Sequence, residues 1–493
     1  MGAHDPAAPR RRPRRRRRPV VWTLIAVLAL ALVAAGALVA VRQLDTSDEL
    51  PPGIPARPAA ITADPQIRPV AADAPQPTPA GVSRQIAQSL RDPALGQFTG
   101  QISDSVTGTV LWSRGADRPR TPASNAKILT AAAALVELPH DKRITTSVFA
   151  GPGGQVILKG AGDPTLSAQP RGSDTFYTDP GRIADLAAQI KDAGVPVTSV
   201  AIDLSAYSGP TMAKTWDRRD IAGGDITPIE SLIADGGRIR PLDEFSPRVD
   251  DPGITAGQAL ARALGVSTTV TEVNAPAGAR EVASVRSAPL VTRVNDMLRF
   301  SDNVLAETLS IELATAKGRP ATLADGVNAI EQSMSANFAD AAGGTTLSDA
   351  SGLSYANKVP AAMLDTLMAA ASGSAGAAGT GTGTGTDDSS DSDDSGDSDG
   401  TVQAKMRPML DGLPVAGGTG TLADRFDVRT NPGAGWVRAK TGTLTGVSSL
   451  TGIVQTVDGR VLSFALISGG TSPADARPAL DAIPGDLREC GCR

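Results

Sequence analysis

Ser124-Asn125-Ala126-Lys127 sets a hydroxyl and an amine at the two ends of a four-residue motif. On a helix, positions i and i+3 share a face, so both side chains can point into one cleft. A lysine held in partly buried surroundings near other cations has a lowered pKa and accepts a serine proton at neutral pH. That combination supplies a nucleophile and its base. Spacing alone does not establish it, because an exposed helix face bearing Lys127 has the same pattern. The rest of the sequence narrows the choice. Of its two histidines, His4 sits in the basic N-terminal tail, which leaves His140 as the one position for histidine chemistry. A Ser-His-Asp arrangement would depend wholly on that residue. Lysine is scarce at nine residues, and two of them, Lys127 and Lys440, fall in candidate motifs.

Two further groups complete the set. Ser301-Asp302-Asn303 interrupts an apolar helical pattern, where polar residues need a reason to face inward. Its serine can relay a proton to a leaving amine, and the Asn303 amide can hold a substrate backbone. Ser335-Ala336-Asn337 has the same Ser-x-Asn form but falls between predicted elements and reads as loop. Lys440-Thr441-Gly442 lies in a predicted strand. Its cation and hydroxyl can hold a terminal carboxylate, and its glycine leaves room for substrate along the strand edge. The N–H of Thr443 can join that of Ser124 as an oxyanion hole. No cofactor or metal is required by this chemistry.

The elements that must position these residues are legible in outline. A helix is predicted over 122–138, and a long helical stretch over 291–313 that breaks near Ser301. Strands are predicted over 436–444, 448–457 and 461–468, with a turn at Asp458-Gly459 and a short helix from Pro473. Upstream, Ile86, Leu90 and Leu95 predict a short helix, and residues 102–112 a hairpin broken at Thr107-Gly108. Between the first two motifs, strand 156–158, helix 180–193, strand 198–203 and helix 254–264 alternate, which predicts an inserted α/β subdomain over about 150–285.

The flanks predict location. Eight arginines between Arg10 and Arg18 precede the uncharged, apolar Val20–Val41 stretch. As a helix this stretch is roughly 33 Å long, against a bilayer core of ~30 Å. The arginines hold residues 1–19 in the cytoplasm and place the body outside the membrane. The competing reading is a signal peptide cleaved near Ala34–Ala40, which also exports the body. Residues 42–82 are rich in Pro and Ala and read as an extended spacer. The 371–400 run, with its Gly-Thr repeats and its Asp/Ser tract, reads as a disordered acidic loop. With the basic tail on the inside, the exported part is acidic, and nothing in it indicates nucleic-acid binding. Cys490 and Cys492 sit in a 486–493 segment read as a mobile tail in which a local or intermolecular disulfide can form.

The three motifs, in this order, resemble those of the D-alanyl-D-alanine carboxypeptidase/endopeptidase family, the low-molecular-mass class C penicillin-binding proteins. The likeness runs from about 85 to 485. It includes Arg120-Thr121-Pro122-Ala123-Ser124, Gly160-Ala161-Gly162-Asp163-Pro164-Thr165-Leu166, Ser246-Pro247-Arg248, Ala306-Glu307, Asp349-Ala350-Ser351-Gly352-Leu353-Ser354 and Gly420-Thr421-Leu422. The resemblance implies an α/β transpeptidase-like domain, an antiparallel sheet packed between helices, with a smaller domain inserted between the first two motifs. It implies cleavage of D-Ala-D-Xaa bonds in peptidoglycan stem peptides through an acyl-serine, and acylation by β-lactams. The two departures are Tyr355, which stands where the family often carries arginine, and the acidic loop. A class A β-lactamase is a poorer match, since it has a short connection between these motifs and a loop glutamate. A wall-binding scaffold that keeps the fold without turnover is the other alternative.

Overall fold

The computed structural model describes residues 74–373 and 401–492. The basic tail, the Val20–Val41 stretch, most of the spacer and the acidic loop lie outside the described residues. Among the described residues, no helix is long and apolar enough to cross a membrane.

The body begins earlier than residue 83. Helix α1, Pro79–Gln85, starts with proline at its first position and is capped by Thr78, whose side chain accepts from Gly81 N. Proline there costs no helical hydrogen bond, so a residue that signals a spacer by composition instead starts a helix. Val82 and Ile86 are buried beneath it. In place of the short helix expected next, two 3₁₀ turns, Ser89–Arg91 and Pro93–Leu95, are separated by Asp92, whose carboxylate accepts from Ala94 N.

Strands β1 (Thr99–Asp104) and β2 (Val110–Arg114) form the predicted hairpin. A 3₁₀ turn, Ala123–Asn125, leads into helix α2, Ala126–Glu137, whose alanine-rich surface is buried on nearly every side. The chain then leaves to build a separate sheet from β3 (Thr145–Ala150), β4 (Gln155–Lys159), β5 (Ser199–Asp203), β6 (Thr271–Glu272) and β7 (Glu281–Arg286). The order is β6-β5-β4-β3-β7, with parallel β4–β5 and β5–β6 pairs. Helices α3 (Ile183–Asp192) and α4 (Pro252–Leu264) pack on it through Leu186, Ile190 and Leu260.

Helix α5, Leu290–Arg299, and helix α6, Asn303–Ala316, are the predicted helical stretch with its break near Ser301. Ser301 between them has φ +56°, a conformation that costs a non-glycine residue free energy and is retained where the surroundings enforce it. Helix α7 spans Leu323–Asn337 and helix α8 Ala361–Ser372. Ser335 and Asn337 therefore end a helix, not a loop, and bond backward to Glu331 O and Ser333 O as local partners.

Strands β8 (Val437–Leu444), β9 (Val447–Gln455) and β10 (Val461–Gly469) join β1 and β2 in an antiparallel sheet of order β2-β1-β10-β9-β8. One face, with Val437, Ala439, Leu450 and Val454, packs on α9, Pro473–Arg488, through Leu480, Ile483 and Leu487. The other packs on α2 and α8 through Ala465 and Ile467. This is the antiparallel sheet between helices that the motifs imply. α9 is longer than the short helix expected, and the C-terminal residues are not a free tail. Cys490 is buried and disulfide-bonded to Cys492, whose carbonyl accepts from Thr78 N at 2.7 Å. Pairing with a segment over 400 residues upstream is invisible to local reading.

Candidate active site

Ser124 lies in the first turn of the α2 helical segment. By that position its N–H has no intrahelical partner. The turn is pinned from three directions. Ser449 Oγ donates to Pro122 O at 2.6 Å, and Asn125 Nδ2 donates to Thr451 Oγ1 at 3.1 Å, both from β9. On the third side Gly352 packs so closely that a Cβ there would overlap the Ala123 carbonyl. Ala123 itself has φ +49°.

Lys127 is fully buried, and its Nζ donates to Ser124 Oγ at 3.2 Å, Asn303 Oδ1 at 2.6 Å and Ser351 O at 2.6 Å. All three partners are neutral. Burial lowers the Lys127 pKa to about 8, opposed by the more distant Asp349, Asp302, Glu307 and Asp225. The lowering thus comes from desolvation, not from neighbouring cations as the sequence reading supposed. Ser351 O is held from behind. Glu307 Oε1 accepts from Ala350 N and Ser351 N at 3.1 and 2.8 Å, and Thr130 Oγ1 donates to Ala350 O at 2.7 Å.

The strained turn at Ser301 brings the second motif to this pair. Asp302 caps α6, its Oδ1 accepting from Leu305 N at 2.9 Å. Its Oδ2 accepts from Tyr177 OH and Arg238 Nη2, both at 2.8 Å, with Arg248 at 3.9 Å. Burial alone would raise this carboxyl, but the two guanidiniums hold it well below the usual carboxylate range. Asn303 is thereby fixed, with Oδ1 on Lys127 and Nδ2 donating to Asp225 O at 2.9 Å.

The third motif lies on β8, the edge strand. Ala416 N donates to Val437 O and Ala439 N to Pro414 O, so odd-numbered residues of β8 turn their backbone groups away from β9. Alternation along the strand then puts Thr441 O and Thr443 N on the same outer edge. Lys440 Nζ, fully buried, reaches back to Thr441 O at 2.7 Å and to Ser301 Oγ at 2.9 Å. Gly442 has a different purpose from the one expected. A Cβ there would meet Ser449 Oγ, Pro122 O and Ala123, so the glycine admits the Ser124 turn, not the substrate. Ser124 and Thr443 both line the cleft beside that approach, and strand alternation turns the Thr443 N–H outward.

A cleft of about 510 Å³ opens over Ser124, Ser301, Asn303, Thr441 and Thr443. Lys127, Lys440 and Gly442 form the layer behind its wall. The cleft also contains Thr421, Arg425, Arg477 and Phe245, which the motif reading did not single out as site residues. Phe245 is 84% exposed. His140 Nε2 contacts Leu135 O at the far end of α2, consistent with a local structural role. Tyr355 donates through its hydroxyl to Thr445 O at 3.3 Å. Among the described residues no cluster of His, Cys, Asp and Glu could hold a metal ion.

An antiparallel sheet between helices, with a serine–lysine pair facing a Lys-Thr-Gly edge strand, is the architecture of a penicillin-binding serine peptidase. The chain belongs to the D-Ala-D-Ala carboxypeptidase 3 (S13) family, whose model matches residues 82–247, 241–378 and 399–489. It is 44% identical to Carboxypeptidase DacB of Mycolicibacterium smegmatis over 98% of this chain and 99% of that protein. It is 45% identical to a carboxypeptidase of Mycobacterium tuberculosis over 90% of both chains. Its fold is similar to that of penicillin binding protein 4 of Haemophilus influenzae, with TM-score 0.63 and 19% identity over 82% of this chain and 98% of that one. The family is the one the motifs resembled.

Proposed function

We propose that this chain is a peptidoglycan DD-peptidase, a serine-type D-Ala-D-Ala carboxypeptidase acting on stem peptides. The observation that carries the reading is the Lys127 amine, buried, lowered to about 8 and 3.2 Å from Ser124 Oγ. At neutral pH a useful fraction of that amine is free base, and no other group is as well placed to accept the serine proton. Ser124 Oγ attacks the carbonyl of the penultimate D-alanine while Lys127 takes the proton. The N–H groups of Ser124 and Thr443 stabilise the oxyanion. The C–N bond breaks as the proton that Lys127 took from Ser124 is passed to the leaving amine through the Ser301 hydroxyl, itself bonded to Lys440, which returns Lys127 to the free base. Asn303 orients the acyl chain. Water, deprotonated by Lys127, then attacks the ester, and that proton goes to Ser124 Oγ as the acyl bond breaks and the shortened peptide leaves. Each step balances with side-chain protons and one water. β-Lactams acylate the same serine.

Fluorescent penicillin is expected to label the wild-type chain and to leave Ser124→Ala unlabelled, while wild type releases D-alanine from a stem pentapeptide. Equal labelling of Ser124→Ala, or no D-alanine release, would reject the assignment.

The Val20–Val41 stretch is proposed as a membrane anchor that keeps the catalytic body on the outer side, supported by the arginines that precede it. Alkaline carbonate washing should leave the full-length chain in the membrane fraction. Its appearance in the soluble fraction would exclude the anchor.

A further inference from the structure

A peptidase that recognises a free C-terminus needs a cation to meet the carboxylate, and the sequence pointed to Lys440. The structure places Lys440 elsewhere. Its amine is buried and engaged by Ser301 and Thr441 O, behind the cleft wall. The hydroxyl-bearing side chains that β8 presents to the cleft are Thr441 and Thr443, two residues apart and therefore on one face of the strand. They project toward α9. Thr441 Oγ1 donates to Thr421 Oγ1 at 2.7 Å, and Thr443 Oγ1 accepts from Arg477 Nη2 at 3.2 Å.

Arg477 is exposed, lines the cleft and presents a planar set of donors suited to a carboxylate. Its backbone is fixed by a second guanidinium. Arg425 donates to Asp481 through Nε at 3.1 Å and Nη2 at 2.5 Å, and to Arg477 O at 3.3 Å. The Asp481 carboxylate is committed to Arg425. The other nearby anion, Asp424, is exposed on the rim, where solvent screens it. A carboxylate seated between the Thr441 and Thr443 hydroxyls would lie next to the Arg477 guanidinium.

We propose that Arg477 is the cation that receives the C-terminal carboxylate of the substrate, together with Thr441 and Thr443, and that Arg425 is its positioning residue. Lys440 then serves Ser301 and the strand edge. This rests on the DD-peptidase reading above.

The test compares a stem-type peptide ending in D-Ala-D-Ala as the free acid with the same peptide as its C-terminal amide. Wild type should favour the acid. Arg477→Gln should lose roughly 10- to 100-fold in kcat/KM on the acid, mainly through KM, the range of a lost charge-assisted hydrogen bond. On the amide it should stay within about twofold of wild type. Arg477→Lys should recover part of the acid preference. Arg477→Gln that folds and keeps the wild-type acid-to-amide ratio would overturn the proposal, as would a wild type with no such preference. Failure of the DD-peptidase reading looks different, since wild type would then turn over neither peptide.

Discussion

Lys127 and Asp302 are both fully buried ionisable groups within one shared structure, joined through Asn303, yet burial leads them to opposite ends. Desolvation works against charge on each. Lys127 meets only neutral acceptors, so desolvation prevails and its pKa falls to about 8. Asp302 meets Arg238 and Arg248 and remains a carboxylate. The lesson concerns partners more than depth. A proton-exchanging group is surrounded by dipoles, and a group that must keep its charge is surrounded by counter-ions.

The largest expected effect comes from removing the counter-ion. Asp302→Asn would leave the buried Arg238 and Arg248 without their carboxylate, at a cost of about 3–5 kcal/mol. Urea unfolding measures it, and a loss under about 1 kcal/mol would mean that the guanidiniums find other partners. A smaller effect concerns the dipole-lined group. Acylation by penicillin should rise with pH through about 8, as Lys127 loses its proton. Glu307 raises the Lys127 pKa, so Glu307→Gln, which keeps an oxygen acceptor for Ala350 N and Ser351 N, should move that rise to lower pH. Burial also raises Glu307 itself to about 8, with Asp349 adding to it, so its charge is only partly present near neutrality. The shift should therefore be under about one unit. A shift to higher pH would contradict the electrostatic account.

How much of this was legible in sequence depends on how local each cause is. The serine–lysine spacing, the break at Ser301 and the Lys-Thr-Gly strand are written in short windows, and the structure brings all three together. What shapes them is not local. Tyr177, Arg238 and Arg248 reach Asp302 from 54 to 125 positions away. Gly442 answers to Pro122 and Ala123, far upstream. The Lys127 environment depends on Asn303 and Ser351, so its neutral character could not be read from neighbouring residues. Asp302 carried one usable signal, an N-cap residue before an apolar helical run. Composition misled at both ends of the body, where Pro79 starts a helix and Cys492 closes against Thr78.

The open edge of β8 has a consequence beyond catalysis. An unpaired strand is a template for any other extended chain and a usual starting point for aggregation. Here the segment 414–416 already pairs with the strand up to Ala439, and the Ser124 turn closes over Gly442. What remains exposed is about the width of one short peptide, flanked by Arg438 and by Arg477. The gap that admits a substrate is thus a short, positively flanked length of strand, a poor template for edge-to-edge pairing. The same few residues therefore leave little of this strand edge open and hold a place for a substrate on it.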